Sequence, residues 1–285
     1  MQFMIIRKAD AATEAGLPPS PRAIEDMARF NAECAEAGRL GLALGLRQSA
    51  YGVRLRMWPD GEAITDGPFT ETKELVAGFT IIEADSKEAA IAQLRCWPLS
   101  DLDAAGEVTL ELRETGCPGG CAEVAPGMRG NDDGPGRYVI LLRSDAASER
   151  DTVPPRHKLD ALDVFNAAQA QAGVLLAGDC LKSSARGARV QLAGCASTVL
   201  DGPFAEAKEL IAGFWMIRAD SMDDAIAWAR SLPYPTGPEV EVEIREVMTM
   251  AELMPQLSPG QLREDAGLRA EQLDAALRAQ LAARA

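Results

Sequence analysis

The side chains best suited to chemistry fall in two short segments that are nearly the same segment written twice. Asp66-Gly67-Pro68-Phe69 is followed shortly by Lys73-Glu74, and Asp201-Gly202-Pro203-Phe204 by Lys208-Glu209. A carboxylate at the mouth of a cleft can act as acid, base or hydrogen-bond acceptor, and a neighbouring lysine can meet an anion or orient that acid. Asp66, Lys73, Glu74, Asp201, Lys208 and Glu209 are therefore candidate ligand-binding residues, the two aspartates also candidate catalytic groups. The tetrad has an architectural role as well: Asp closes a turn, Gly supplies an unusual φ, Pro fixes the next, and Phe anchors the turn in a core. All four residue types suit a turn, which favours that role. For the Lys-Glu pairs, ligand contacts and solvent-facing ion pairs both stay open.

A second set alternates along two matching segments: Glu111, Arg113 and Glu114, then Glu243, Arg245 and Glu246. Residues two apart share one face of a strand. Arg113 and Arg245 are ligand-binding candidates if that face lines an inter-domain pocket, and exposed edge charges if it is wet. His157 is the only histidine and the third catalytic candidate, because imidazole titrates near neutrality; its place in Pro154-Pro155-Arg156-His157-Lys158 reads as the surface of a helix start. The chain contains no phosphate loop, dinucleotide fingerprint or Gly-x-Ser-x-Gly turn. Of its six cysteines only Cys117 and Cys121 lie close together, without a second pair at zinc spacing, so neither metal nor cofactor is expected and the cysteines read as thiols.

The elements that position these groups follow from the repeat itself. At an offset of 135, Lys73 to Phe79 falls on Lys208 to Phe214, Ala84-Asp85-Ser86 on Ala219-Asp220-Ser221, and Phe30-Asn31-Ala32 on Phe165-Asn166-Ala167. This period far exceeds a solenoid unit, so the halves are duplicated domains. The boundaries are 1–116 for the first module, 117–136 for a Gly/Pro-rich linker expected to be mobile, 137–250 for the second module, and 251–285 for a terminal amphipathic helix.

Within a module the pattern predicts a strand (Phe3 to Arg7; Tyr138 to Arg143) and then a helix, in the first copy capped by Ser20-Pro21 and ending at Gly38. A hairpin follows, Val53 to Trp58 and Ile64-Thr65 in the first copy, then a short strand from Phe79 or Phe214, a helix capped by Ser86 or Ser221, and a last strand with one wet face. That order, β-α-β-β-(turn and strand)-α-β, is read as an α+β, ferredoxin-like (βαββαβ) unit, one antiparallel sheet with both helices on one face. Two such units in one chain are expected to pack sheet to sheet as an internal pseudo-dimer. The halves are not identical: Tyr51, Trp58 and Trp97 have no aromatic counterpart in the second copy, which carries Trp215 and Trp228 instead.

Composition sets the outer limits. The 285 residues are 47% hydrophobic and 25% charged, as in a globular protein of about two domains, and the formal net charge of −14 opposes nucleic acid or anionic lipid as partners. No apolar run approaches the roughly 18 residues of a membrane span. Met1 to Arg7 places its charge after the apolar residues, the reverse of a signal peptide, so the expected location is the cytoplasm.

Thr65 to Glu74 and Leu200 to Glu209 resemble the signature of the DGPF (YCII-related) domain family, and the resemblance extends over both halves. It implies a dimeric α/β-barrel arrangement of ferredoxin-like units. It also implies a His-Asp active site in some relatives, and genes beside extracytoplasmic-function sigma factors in many. This chain departs from the His-Asp pattern, because His157 aligns with Arg22, so no histidine is shared by both modules. Two functions remain. The preferred one is a small-molecule binder or minor enzyme with a cleft beside the DGPF turn, between sheet and helices or between modules. The alternative is a non-enzymatic accessory protein, for example of such a sigma factor, docking through its acidic surface and tail. A further homodimer is compatible with either.

Overall fold

The computed structural model of the protein describes residues 1–70, 75–120, 124, 136–194, 196–205 and 210–253. The first half runs β1 (Gln2–Lys8), α1 (Ala11–Glu14), α2 (Pro21–Glu36), β2 (Leu40–Gly45), β3 (Val53–Trp58), β4 (Gly61–Asp66), β5 (Val76–Glu83), α3 (Lys87–Leu94) and β6 (Glu107–Glu114). The second runs β7 (Arg137–Arg143), α4 (Arg156–Gln171), β8 (Leu175–Cys180), β9 (Ala188–Ala193), β10 (Ala196–Asp201), β11 (Ile211–Arg218), α5 (Met222–Ser231), β12 (Val240–Glu246) and α6 (Met250–Leu253). Local signals account for several boundaries. The Ser20 hydroxyl accepts from the Ala23 N–H at 3.1 Å and Pro21 pre-sets the first helical φ, so α2 starts where the sequence places it. Beyond its last turn Gly38 takes the left-handed φ of +66° and lets the chain turn into β2.

Two strands are absent from the sequence expectation, β2 and its counterpart β8. With them, β6-β1-β5-β2 and β12-β7-β11-β8 each form the antiparallel four-stranded core of a ferredoxin-like unit, helices on one face. The larger correction concerns the hairpins. Rather than staying in its own sheet, β3–β4 crosses to pair with β12, and β9–β10 crosses to pair with β6, giving two six-stranded sheets that each contain strands from both halves. The edge of β6 is completed by Leu110 opposite Val190 and Glu111 opposite Arg189; Val242 opposite Leu55 and Glu243 opposite Arg54 do the same for β12.

The sheets pack face to face. Met4, Ile6 and Phe79 from one meet Val139, Leu141 and Phe214 from the other, and the Phe79 and Phe214 rings lie 5.0 Å apart. The opposite face of each sheet carries its helices over a separate core, which includes Val190 and Leu192 from the visiting hairpin on one side and Val53 and Leu55 on the other. Among the described residues no helix is long and apolar enough to cross a membrane. Of the terminal helix expected over 251–285 only residues 251–253, within α6, are described, and its remainder and most of the linker lie outside the described residues. Cys117 is disulfide-bonded, which corrects the thiol expectation for that residue; bonding depends on whether two sulfur atoms are brought within reach, which composition does not show.

Exchange of this kind makes the two halves interdependent. Residues 1–136 expressed alone should not yield a folded monomer, whereas co-expression with 137–285 should yield a one-to-one complex by sedimentation analysis. Two independently folded, non-associating halves would contradict the exchange.

Candidate functional site

Each exchanged hairpin leaves and re-enters its own module through a narrow neck, and the DGPF turn forms the return side. At the first neck the Gly67 N–H donates to Gly52 O at 2.9 Å, after which Gly67-Pro68, a cis peptide, directs the chain back toward β5. A Cβ on Gly67 would sit 1.8 Å from the Ser49 carbonyl oxygen, and one on Gly202 would sit 1.8 Å from that of Ser184. Both glycines are therefore required by close backbone approach. The turn is held by the Phe69 N–H donating to Ser49 Oγ at 3.1 Å, matched by Phe204 and Ser184 at 3.1 Å. Each Phe ring lies beneath an arginine from its own hairpin, Arg54 at 4.1 Å and Arg189 at 4.3 Å from the ring centroid.

From these anchors a buried charge network runs into the opposite module. The backbone N–H and hydroxyl of Ser49 both donate to Glu14, which lies 3.7 Å from Arg245 of the second half. In the mirrored copy the Ser184 N–H donates to Glu149 at 2.9 Å, and Glu149 accepts from Arg113 of the first half at 3.2 Å. Arg113 also donates to Lys182 O at 2.7 Å, and Arg245 to Arg47 O. Beside them Glu111 is surrounded by Lys8 and Arg113, each at 3.3 Å, and Arg189 at 3.2 Å. Glu243 is surrounded likewise by Arg54 at 3.1 Å, Arg143 at 2.5 Å and Arg245 at 2.9 Å. Burial alone would push the Glu111 carboxyl up, but Lys8, Arg113 and Arg189 hold it down to about 2. Against the same burial, Arg143, Arg245 and Arg54 lower Glu243.

The last strands therefore have no wet face at Glu111, Arg113, Glu243 and Arg245. All four are buried because the opposite module covers that side of the sheet and supplies counter-charges.

A different region offers space. A cavity of about 800 Å³ lies mainly in the first module, between α2 and the edge of its sheet at β2 and β5, with Ile24, Met27, Ala43, Thr80, Trp97 and Arg7 on its wall and Arg137 and Glu252 of the second half also lining it. Arg7 is pinned there: Nε donates to Asp101 Oδ2 at 2.9 Å, Nη1 to Lys8 O at 2.9 Å and Nη2 to Asp10 Oδ2 at 2.9 Å. The Trp97 indole donates to Asp101 at 2.8 Å. Burial pushes the Asp10 carboxyl up, but bonds from the Thr13 backbone and Arg7 bring it below the ordinary range.

The repeat shows how this space differs between the copies. At the 135 offset Arg7, Thr80 and Trp97 become Leu142, Trp215 and Leu232, and all three of these belong to the packed helix-side core of the second module. Ala43 faces Thr80 across β2 and β5, where Gly178 faces Trp215; a Cβ on Gly178 would press within 3.1 Å of the indole. Linker residue Val124 exchanges backbone hydrogen bonds of 2.9 Å with Gly178 and packs its side chain against the same core. Asn31 Oδ1 near the cavity and its counterpart Asn166 Oδ1 in the packed copy are both buried without a partner, so that orphaned oxygen does not distinguish the two.

Two ferredoxin-like modules closed on each other through exchanged hairpins define a dimeric α/β-barrel protein made within one chain. A model of the YCII-related domain matches residues 1–110 and again 137–251, and the chain belongs to that family. No curated protein matches it.

The structure scatters the candidates read from sequence. Asp66 is exposed at the end of β4; Asp201 is 71% exposed and lies 2.6 Å from the Lys87 ammonium. Neither is on the cavity wall. His157 is exposed on the first turn of α4. Arg113 and Arg245 are spent on internal acceptors, and Lys73, Glu74, Lys208 and Glu209 lie outside the described residues. Sequence reasoning missed Arg7, Asp10, Asp101 and Thr80. The available signal was the set of positions where the two copies disagree in polarity and size.

Two measurements test these assignments. Gly67→Ala should cost at least about 3 kcal/mol in chemical denaturation, while Asp66→Ala should stay within about 0.5 kcal/mol; the reverse ranking would make the aspartate the essential member. Glu111 has a lowered carboxyl, so its stabilising contribution is complete above its ordinary value of 4.5 and is lost as pH falls from there toward about 2. The urea midpoint should drop across that window, and Glu111→Gln should be less stable at neutral pH with a shallower acid slope. Equal slopes would remove Glu111 from the acid response.

Proposed function

We propose that the protein binds a small molecule at one working site, the cavity of its first module, and that the second module is the structural half of the pair. The observation carrying this reading is the paired replacement of Arg7 and Thr80 by Leu142 and Trp215 at equivalent positions. One copy keeps a polar, roomy helix-side space where the other has core packing. A volume of about 800 Å³ lies within the range of small-molecule pockets, roughly 300–1,000 Å³, and its wall combines apolar side chains with a few fixed polar groups. The cavity is bounded by sheet and helix, and the DGPF turn acts on it only indirectly, by fixing the chain between β4 and β5. The accessory role beside an extracytoplasmic-function sigma factor rests on family resemblance alone.

The test is a thermal-shift screen against a metabolite library, run on the wild type and on a variant combining Ala43→Gly with Thr80→Trp. That variant copies the second module's cross-strand pair into the first. A ligand near a hundredfold excess over Kd should stabilise the wild type by about 2.7 kcal/mol and leave the still-folded variant unmoved. A ligand that stabilises both proteins equally, and loses its effect in Asp66→Ala with Asp201→Ala, would move the site to the DGPF turns.

A further inference from the structure

The charges around the cavity point to a class of ligand, on the footing that the cavity has the binding role proposed for it. Arg7 is held by Asp101 through both carboxylate oxygens, at 3.1 and 2.9 Å, and by Asp10 at 2.9 Å, with backbone oxygens of Lys8 and Asp101 taking further donors. Arg47 near the rim is matched by Glu246 at 2.8 Å and by Glu252. Each of these arginines therefore already has two carboxylates, and each of its three guanidinium nitrogens already donates to a protein oxygen. The remaining cation on the wall, Arg137, is 6% exposed and donates to Met248 O at 3.5 Å. The wall also carries Asp103, held by backbone N–H groups of Ala105 and Glu107 at 2.8 and 3.0 Å. On the wall, Arg7, Arg47 and Arg137 face Asp10, Asp101, Asp103 and Glu252, an excess of one negative charge.

At Arg7 or Arg47 an incoming anion would have to displace an existing carboxylate and leave it uncompensated in a partly dehydrated space, which is strongly unfavourable. An incoming cation relieves the excess without breaking any pair. The formal net charge of −14 raises the local concentration of cations over the whole surface as well. Ile24, Met27 and Leu102 supply apolar wall for the remainder of the ligand.

We infer that the first module's cavity takes a small amphipathic organic cation, an amine or amidine on an apolar body, in preference to a carboxylate or phosphate. The experiment is isothermal titration of the full chain with naphthylethylamine, naphthylethanol and naphthylpropionate, three probes with one apolar body and different heads. The amine should bind at least about tenfold more tightly than the carboxylate, a difference of about 1.4 kcal/mol, with the alcohol between them. In Asp101→Asn, which takes a full charge from Arg7, the preference should narrow or reverse. Glu252→Gln, which does the same to Arg47, serves if the first variant does not fold.

If the carboxylate binds as well as the amine in the wild type and both are lost in the variant combining Ala43→Gly with Thr80→Trp, the charge preference is wrong and the cavity stands. If binding survives in that variant, or none of the three probes binds the wild type, the cavity reading fails and the charge preference with it.

Discussion

A carboxylate stripped of water and held by three cations, once at each crossing of the exchanged hairpins, fixes how the two halves meet. Glu111 takes Lys8 and Arg113 from its own module and Arg189 from the other; Glu243 takes Arg143 and Arg245 from its own and Arg54 from the other. Apolar contacts such as Leu110 opposite Val190 favour the crossing but would tolerate a slip of two residues, which keeps every side chain on its face. The Glu111 cluster does not tolerate it, because a slip of two would set Gln191 or Gly187 opposite Glu111 and leave that buried carboxylate without its cross-strand arginine. Hydrophobic burial supplies the attraction between modules, and the Glu111 cluster selects one register.

The DGPF turn belongs to the same device. A hairpin lent to another sheet must come back, and it must do so close to where it left. Gly52 and Gly67 let the two backbone passes touch, Pro68 turns the chain, and Phe69 closes the corner beneath Arg54, the arginine that reaches Glu243. Through Ser49 and Glu14 the corner is joined to Arg245 of the opposite module. A motif that attracts attention as a source of catalytic groups thus holds the exchanged scaffold together.

The sequence was legible wherever structure is decided locally. Caps at Ser20, Ser86 and Ser221, the hairpin that begins at Val53 to Trp58 and the duplicated register all sit where side chain and backbone signal within a few residues. It was opaque wherever the decision is made by a distant partner. Leu40–Gly45 alternates leucine only with glycine and alanine, without a polar face to mark it, and becomes a strand because β5 lies beside it. The alternating charges of Glu107–Glu114 suggest a wet face, and only the covering module with Arg189 and Glu149 makes them interior. The hairpin exchange has no local signature, since a strand's own pattern does not name its neighbour. The cavity could have been approached by asking at which aligned positions a polar or small residue in one copy stands against a large apolar one in the other, as Arg7 does against Leu142.

Joining the two modules in one chain changes what mutation can reach. In a dimer of identical subunits every substitution occurs twice, so a residue that fills one pocket fills both, and a charge admitted to one is admitted to both. Here Thr80 and Trp215, or Arg7 and Leu142, are set independently while the shared crossings stay matched. The covalent link thus turns a symmetric assembly into one whose halves can specialise, one keeping an open chamber and the other giving its chamber up to rigidity.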